Sequence, residues 1–294
     1  MKPAPGEFTV RFRESISPYI LLVPSFIIIF GLMILPIIWN IYLGLHNVSI
    51  TNIAKSWEFV GLDNFISLFT DEWFWKSMLV SAQFVIICVV GQFVIGFCLA
   101  YLLSGERWSH VFRPIYILPW FMSIIVAGYS WQMLYHSRFG FINNYVLHID
   151  VPWLDSPDLA ILSIAIANIW WGVAFTMLFL ETSLTSIDPE VLDAAEVDGA
   201  TGFKKIRHII LPLISPFIAI NLILITMWTV NLFDLILVMT GGGPLYATRT
   251  TSLYMYQQAF KFGEISIGSV AGIILLAINL VLAYMYLKIS RKSL

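Results

Sequence analysis

The residues best placed to recognise a small molecule stand in two short patterns. Asn168, Trp171, Gly172 and Phe175 recur at i, i+3, i+4 and i+7, and Ile225, Trp228, Thr229 and Leu232 repeat that spacing. Each set therefore shares one face of a helix. Indole rings stack on the C–H faces of sugars, and Asn168 and Thr229 supply hydrogen bonds to hydroxyls. The competing reading is that aromatics at helical spacing simply pack a bundle. Covalent chemistry finds no comparable support. The chain holds no GxxxxGK[ST], no HExxH and no GxSxG, and the five histidines (His46, His110, His136, His148, His208) are scattered. Gly241-Gly242-Gly243-Pro244 lacks the lysine of a phosphate loop and reads as a turn. Cys88 and Cys98, ten residues apart in one apolar run, would stand about 15 Å apart along a helix, too far to bridge. The chemistry is recognition, with no cofactor or metal held by this chain.

The elements that carry these residues are membrane spans. The chain has 294 residues, 59% of them hydrophobic and 12% charged, with a mean hydropathy of +0.84. A soluble domain carries about 25% charge. A net charge of −2 gives no basic surface and argues against nucleic acid as a partner. Apolar runs over 19–45, 78–103, 112–135, 159–184, 213–239 and 265–289 predict an all-α membrane protein of six transmembrane helices. The first run, at 27 residues, is too long for a signal-peptide core and reads as a retained anchor. Trp171 lies 12 residues after Leu159 and Trp228 lies 12 before Thr240. Both therefore sit about 18 Å below the outer surface, at one depth.

Eleven Lys and Arg fall on one side of these spans, against five on the other. The eleven are Lys2, Arg11, Arg13, Arg107, Arg113, Lys204, Lys205, Arg207, Lys288, Arg291 and Lys292. The N-terminal tail 1–18 and the C-terminal tail 291–294 should both face the cytoplasm. Trp57, Trp73, Trp75 and Trp153 suit an aromatic belt at the opposite interface. Pro24, Pro36, Pro114 and Pro119 free backbone carbonyls inside spans and require neighbours to satisfy them. Asp234 is the intramembrane charge that a functional reading would choose first. It lies roughly 180° around its helix from Ile225, which favours an interhelical structural role. Glu181 is similarly off-face.

Between the fourth and fifth spans, the segment 186–212 is the most polar of the chain. Asp188 can cap a helix that begins at Pro189, with Glu190 favoured in its first turn. Gly199 suits the left-handed residue that ends such a helix, and Thr201 can start a second one over 203–210 that runs into Pro212. Val191 and Ala195 share a face with Leu192, small enough to enter a groove on another protein. From the physics alone, an amphipathic segment lying on the membrane surface is as good a reading.

The order of residues goes further. Asp193-Ala194-Ala195, then Gly199, then Ile209-x-Leu211-Pro212 resembles the EAA loop of ABC importer permeases, with Asp193 where that family usually has Glu. Phe59-Val-Gly-Leu-Asp-Asn-Phe65, Ile117-Leu-Pro119, and Phe233-Asp-Leu-Ile with Thr240-Gly-Gly-Gly-Pro244 resemble its carbohydrate, maltose-type branch, the first stretch being similar to the first of its two permeases. The resemblance implies a multi-pass subunit of a bacterial or archaeal cytoplasmic membrane. It implies as partners a second homologous permease, two ATPase subunits that bind ATP and Mg, and an external solute-binding protein. Val191, Leu192, Asp193, Ala194, Ala195, Gly199, Ile209, Leu211 and Pro212 would belong to the ATPase-coupling loop. The sugar contacts of maltose-type importers fall on the two faces described above, with aliphatic Ile225 and Leu232 where polar groups are usual, implying a different solute. No Lys or Arg lies in 159–184 or 213–239, so the expected cargo is a neutral sugar or polyol. The alternative is an ion-coupled secondary transporter using Asp234.

Overall fold

Two apolar helices with small residues at matched heights can approach more closely than bulky side chains allow, and one such pair organises the chain. In a computed structural model, residues 22–104 and 109–290 are described. Lys2, Arg11, Arg13, Arg107, Arg291 and Lys292 lie outside the described residues. In chain order the elements are α1 (Leu22–Gly44), a two-residue hairpin of β1 (His46–Asn47) and β2 (Glu58–Phe59), α2 (Asp63–Thr70) and α3 (Glu72–Leu103). Then come α4 (Ser109–Phe121), α5 (Ile124–Leu134), α6 (Pro157–Thr185) and α7 (Pro189–Val197). After them come α8 (Phe203–Leu213), α9 (Ser215–Val230), α10 (Asp234–Met239), α11 (Thr251–Tyr256) and α12 (Ile265–Ser290).

α3 and α6 form the central pair. Cys88, Gln92, Gly96 and Ala100 follow one another by one turn along α3 and are all buried. A Cβ at Gly96 would stand 2.6 Å from Thr176 Cγ2 of α6, so only glycine permits this approach. Around the pair lie three buried clusters, one of which joins Leu103 and Ala100 of α3 to Leu184, Leu180 and Met177 of α6 and to Ile210 and Ile214. α1 has no buried residue across its apolar window and rests on α12. The hairpin pairs His46 with Phe59 and is fastened to α12 by Ser266, whose Oγ donates to His46 O at 2.6 Å and accepts from Val48 N at 2.7 Å.

Four helices are long and apolar enough to cross a membrane, or six spans if each of two bent pairs counts as one. The bends fall beside prolines of the apolar runs 112–135 and 213–239, where a kink or break is expected. α4 and α5 meet at 98° across Met122 and Ser123, three residues after Pro119, whose missing N–H weakens the ladder there. α8 and α9 meet at 77° at Ile214, between Pro212 and Pro216. A further break at 231–233 separates α9 from α10. In an apolar medium each freed carbonyl needs a donor. Met122 O accepts from Trp171 Nε1 at 3.0 Å, and Leu232 O accepts from Ser252 Oγ at 2.7 Å.

Among the five cations on the far side of the chain, Arg249 is buried. Its Nε donates to Ser77 Oγ at 3.2 Å and its guanidinium lies 4.1 Å from the Tyr246 ring centroid. Burial pulls its pKa down, and the neighbouring Tyr246, Tyr254 and Asp71 oppose that shift. This contact ties the loop after α10 to the start of α3.

The caps on the broken spans are testable. Trp171→Phe keeps a ring but removes the donor, and Ser252→Ala does the same at the second break. Each should cost about 1–3 kcal/mol, read as a lower thermal midpoint of the purified complex. Unchanged midpoints in both would show that the carbonyls find other donors.

Candidate functional site

The two sequence patterns meet. Asn168, Trp171, Gly172 and Phe175 of α6, Ile225, Trp228 and Thr229 of α9, and Leu232 at the break all line one crevice, joined by Gln92 of α3 and Trp120 of α4. They converge because α6 packs against both α3 and α9, and because the bend after α4 holds Trp120 above Phe175 at a centroid distance of 5.8 Å. Phe175 in turn meets Trp228 edge-on at 4.7 Å. Trp228 is 49% exposed. The enclosed volume is about 30 Å³, room for a couple of waters. Ligand pockets that enclose a whole small molecule run to about 300–1,000 Å³. By itself the crevice does not enclose a small molecule.

The lining side chains differ in what they offer. Asn168, Ile225 and Thr229 are buried. Thr229 Oγ1 donates to Ile225 O at 2.7 Å, which leaves it an acceptor towards the crevice. Trp171 has a second task that its spacing did not disclose, since its N–H holds the carbonyl at the α4–α5 bend. Gly172 does not offer bare backbone to a solute. A Cβ there would stand 2.8 Å from Cδ, Nε2 and Oε1 of Gln92, so the missing side chain is the seat of that amide. Gln92 and Trp120 were absent from the expected set. Gln92 carried a signal, as a polar amide in the apolar run 78–103. Trp120, beside Pro119, carried none.

Asp234 corrects an expectation. Its Oδ1 accepts from the adjacent Leu235 N at 2.9 Å, and among the described residues it has no interhelical partner. It does not line the crevice. Its place is the first turn of a short helix, where a carboxylate is favoured by the dipole. Glu181 has the interhelical role instead. It is buried and paired with Arg113 of α4.

The polar loop forms two short helices meeting at a glycine. Asp188 Oδ1 accepts from Glu190 N at 3.0 Å, and Gly199 takes φ +78°, a conformation that costs an L-residue about 1–2 kcal/mol. Lys205 bridges the two helices through Glu196 at 2.7 Å. The face expected to enter a partner is corrected. Ala195 is buried, and Leu192 packs with Ile187 and Ile206 on the cluster of Leu103, Leu184 and Ile210. These side chains hold the loop to the bundle. The outward side carries Val191, Asp193, Ala194 and Val197, the last 88% exposed. Ile209 and Leu211 are half-buried and Pro212 is exposed.

The packing around Gly172 yields a prediction. Gly172→Ala should push the Gln92 amide into the crevice and weaken solute-dependent transport about tenfold while leaving the complex assembled, checked by uptake and subunit recovery together. Intact uptake would show that the amide can be displaced without consequence.

Comparison with known proteins follows this geometry. The family described as "Binding-protein-dependent transport system inner membrane component" matches residues 92–293. The trehalose/maltose transport system permease protein MalF of Thermococcus litoralis is 31% identical over 287 residues, covering 96% of this chain and 96% of that protein. The sulfoquinovosyl glycerol transport system permease protein SmoG of Agrobacterium fabrum is 28% identical, covering 92% of this chain and 89% of that protein. A chain of a bacterial ABC transporter involved in import of the acidic polysaccharide alginate superposes with a TM-score of 0.81 at 23% identity, covering 96% of this chain and 99% of that one. The same fold appears in a structure of the alginate transporter in complex with an alginate pentasaccharide-bound periplasmic protein.

Proposed function

This chain belongs to the family of binding-protein-dependent transport system inner membrane components, and from that membership we propose that the crevice between α3, α6 and α9 is one wall of its sugar path. The chain is the permease subunit of a sugar ABC importer, a transport subunit and not an enzyme. The observation that carries the site assignment is the convergence of eight neutral residues from two helical faces on one crevice, with Trp228 half-exposed.

The relatives' named cargoes include neutral and anionic sugars, so the crevice itself must decide the class. Its lining has no charged side chain. An anion buried without a partner costs several kcal/mol, whereas hydroxyls match the amides and Thr229. A neutral sugar or polyol fits best. A wall enclosing about 30 Å³ calls for a second permease to complete the path. An external solute-binding protein would deliver the cargo.

The distribution of Lys and Arg supports six spans in the inner membrane with both termini and α7 in the cytoplasm. There α7 would dock on an ATPase subunit that binds ATP and Mg, presenting Val191, Ala194 and Val197 with the carboxylates of Glu190 and Asp193 beside them. Asp234 gives the ion-coupled alternative little support, since it stands outside the crevice with its carboxylate bonded locally.

Two variants test the two ends of this reading. Trp228→Ala should lower uptake of trehalose or maltose by the reconstituted importer about 2- to 10-fold, taking aromatic-pair energies as the scale, without loss of assembly. Val197→Asp should leave the chain inserted yet abolish co-purification of the ATPase. Ala195→Asp, by contrast, buries a charge and should reduce the yield of folded chain. Normal uptake in the first variant would remove Trp228 from the path, and normal ATPase recovery in the second would remove α7 from the docking surface.

A further inference from the structure

Gln92 was not among the residues that the two helical faces suggested, yet its position is the most constrained of those around the crevice. It is 4% exposed, its amide lies against Gly172 with no room to spare, and its Nε2 donates to Asn168 O at 3.4 Å. Among the described residues Oε1 accepts nothing. Beside it, Asn168 is also 4% exposed and its Nδ2 has no hydrogen-bond partner. The Cys88 thiol, one turn before Gln92, is near enough to interact with that amide, but sulfur is a weak acceptor. Thr229 has already committed its proton to Ile225 O.

The groups around this space include the unpartnered Nδ2 of Asn168 as a donor and Gln92 Oε1 and Thr229 Oγ1 as acceptors, beside a volume of about 30 Å³. A hydroxyl, which donates and accepts, matches that set. Resting on the sugar-path reading above, we infer that Gln92 is a specificity-determining residue, which with Asn168 and Thr229 reads one hydroxyl of the transported sugar. A site built to bond a hydroxyl discriminates against the analogue that lacks it, because its own buried polar groups are then left unpaired.

The test uses the complete importer with its binding protein in proteoliposomes, with trehalose, maltose, glucose and glucitol as probes and monodeoxy derivatives of whichever is transported. Gln92→Met keeps the length that covers Gly172 but removes the hydrogen bond. It should raise KM for the parent sugar about 5- to 10-fold, with a smaller change in maximal rate, and leave KM unchanged for the one deoxy derivative that lacks the read hydroxyl. Asn168→Ala removes the donor from the same space and should erase discrimination against that same derivative. An equal loss across every derivative, or an unchanged KM for the parent, would overturn the assignment while leaving the sugar path intact. Failure of the wild-type importer to move any probe would overturn the neutral-sugar reading of the crevice and this inference with it.

Discussion

The close approach of α3 and α6 is the contact on which the remaining geometry depends. Gly96 admits Thr176 at a point where a Cβ would press on Thr176 and on the Met177 backbone, and Gly172 admits the amide of Gln92, one glycine from each helix. Within a bilayer there is little hydrophobic gain in bringing helices together, and association rests on van der Waals packing and polar contacts. Two reciprocal glycine contacts supply both, since the side chains received are a hydroxyl-bearing Thr and an amide. From that pair follow the seat of Gln92, the burial of Asn168 and the line along which α9 can pack.

The broken spans show the second constraint. A helix interrupted in an apolar medium must find donors for the carbonyls it frees, and here the donors come from the elements around the crevice. Trp171 binds the bend between α4 and α5 while its ring lines the crevice. Ser252 of α11 binds Leu232, which stands at the break and also lines the crevice. The interruptions and the site are thus one construction. The bends bring Trp120 and Leu232 to the crevice, and residues of the crevice keep the bends in place.

At the opposite end of α6, the same helix leads into the loop that carries α7. Glu181, just over a turn before that end, is paired with Arg113 of α4, and Arg113 lies about two turns before Trp120 on the same short helix. Leu192 packs α7 onto the ends of α3 and α6. A displacement of α7 would therefore be felt by α6 directly and by α4 through the ion pair, and both helices line the crevice. The loop's internal tie, Lys205 with Glu196, makes its two short helices move as one piece.

Much of this protein was legible in its residues, for physical reasons. Apolar length announces spans, helical spacing assigns residues to a face, and Asp188, Pro189 and Gly199 mark the start and end of α7 because capping and left-handed backbone are local properties. The eight residues of the two predicted faces line the crevice together with Gln92 and Trp120, which lay on neither. What spacing cannot say is what stands opposite a face. Ala195 reads as a surface residue until Leu192 turns its side of α7 to the bundle. Asp234 reads as an interhelical tie until the break after α9 gives its carboxylate a local N–H. Gln92 enters the site only because Gly172, 80 residues later in the chain, leaves a space of its size. Such contacts join residues far apart in sequence, and tertiary packing alone decided them.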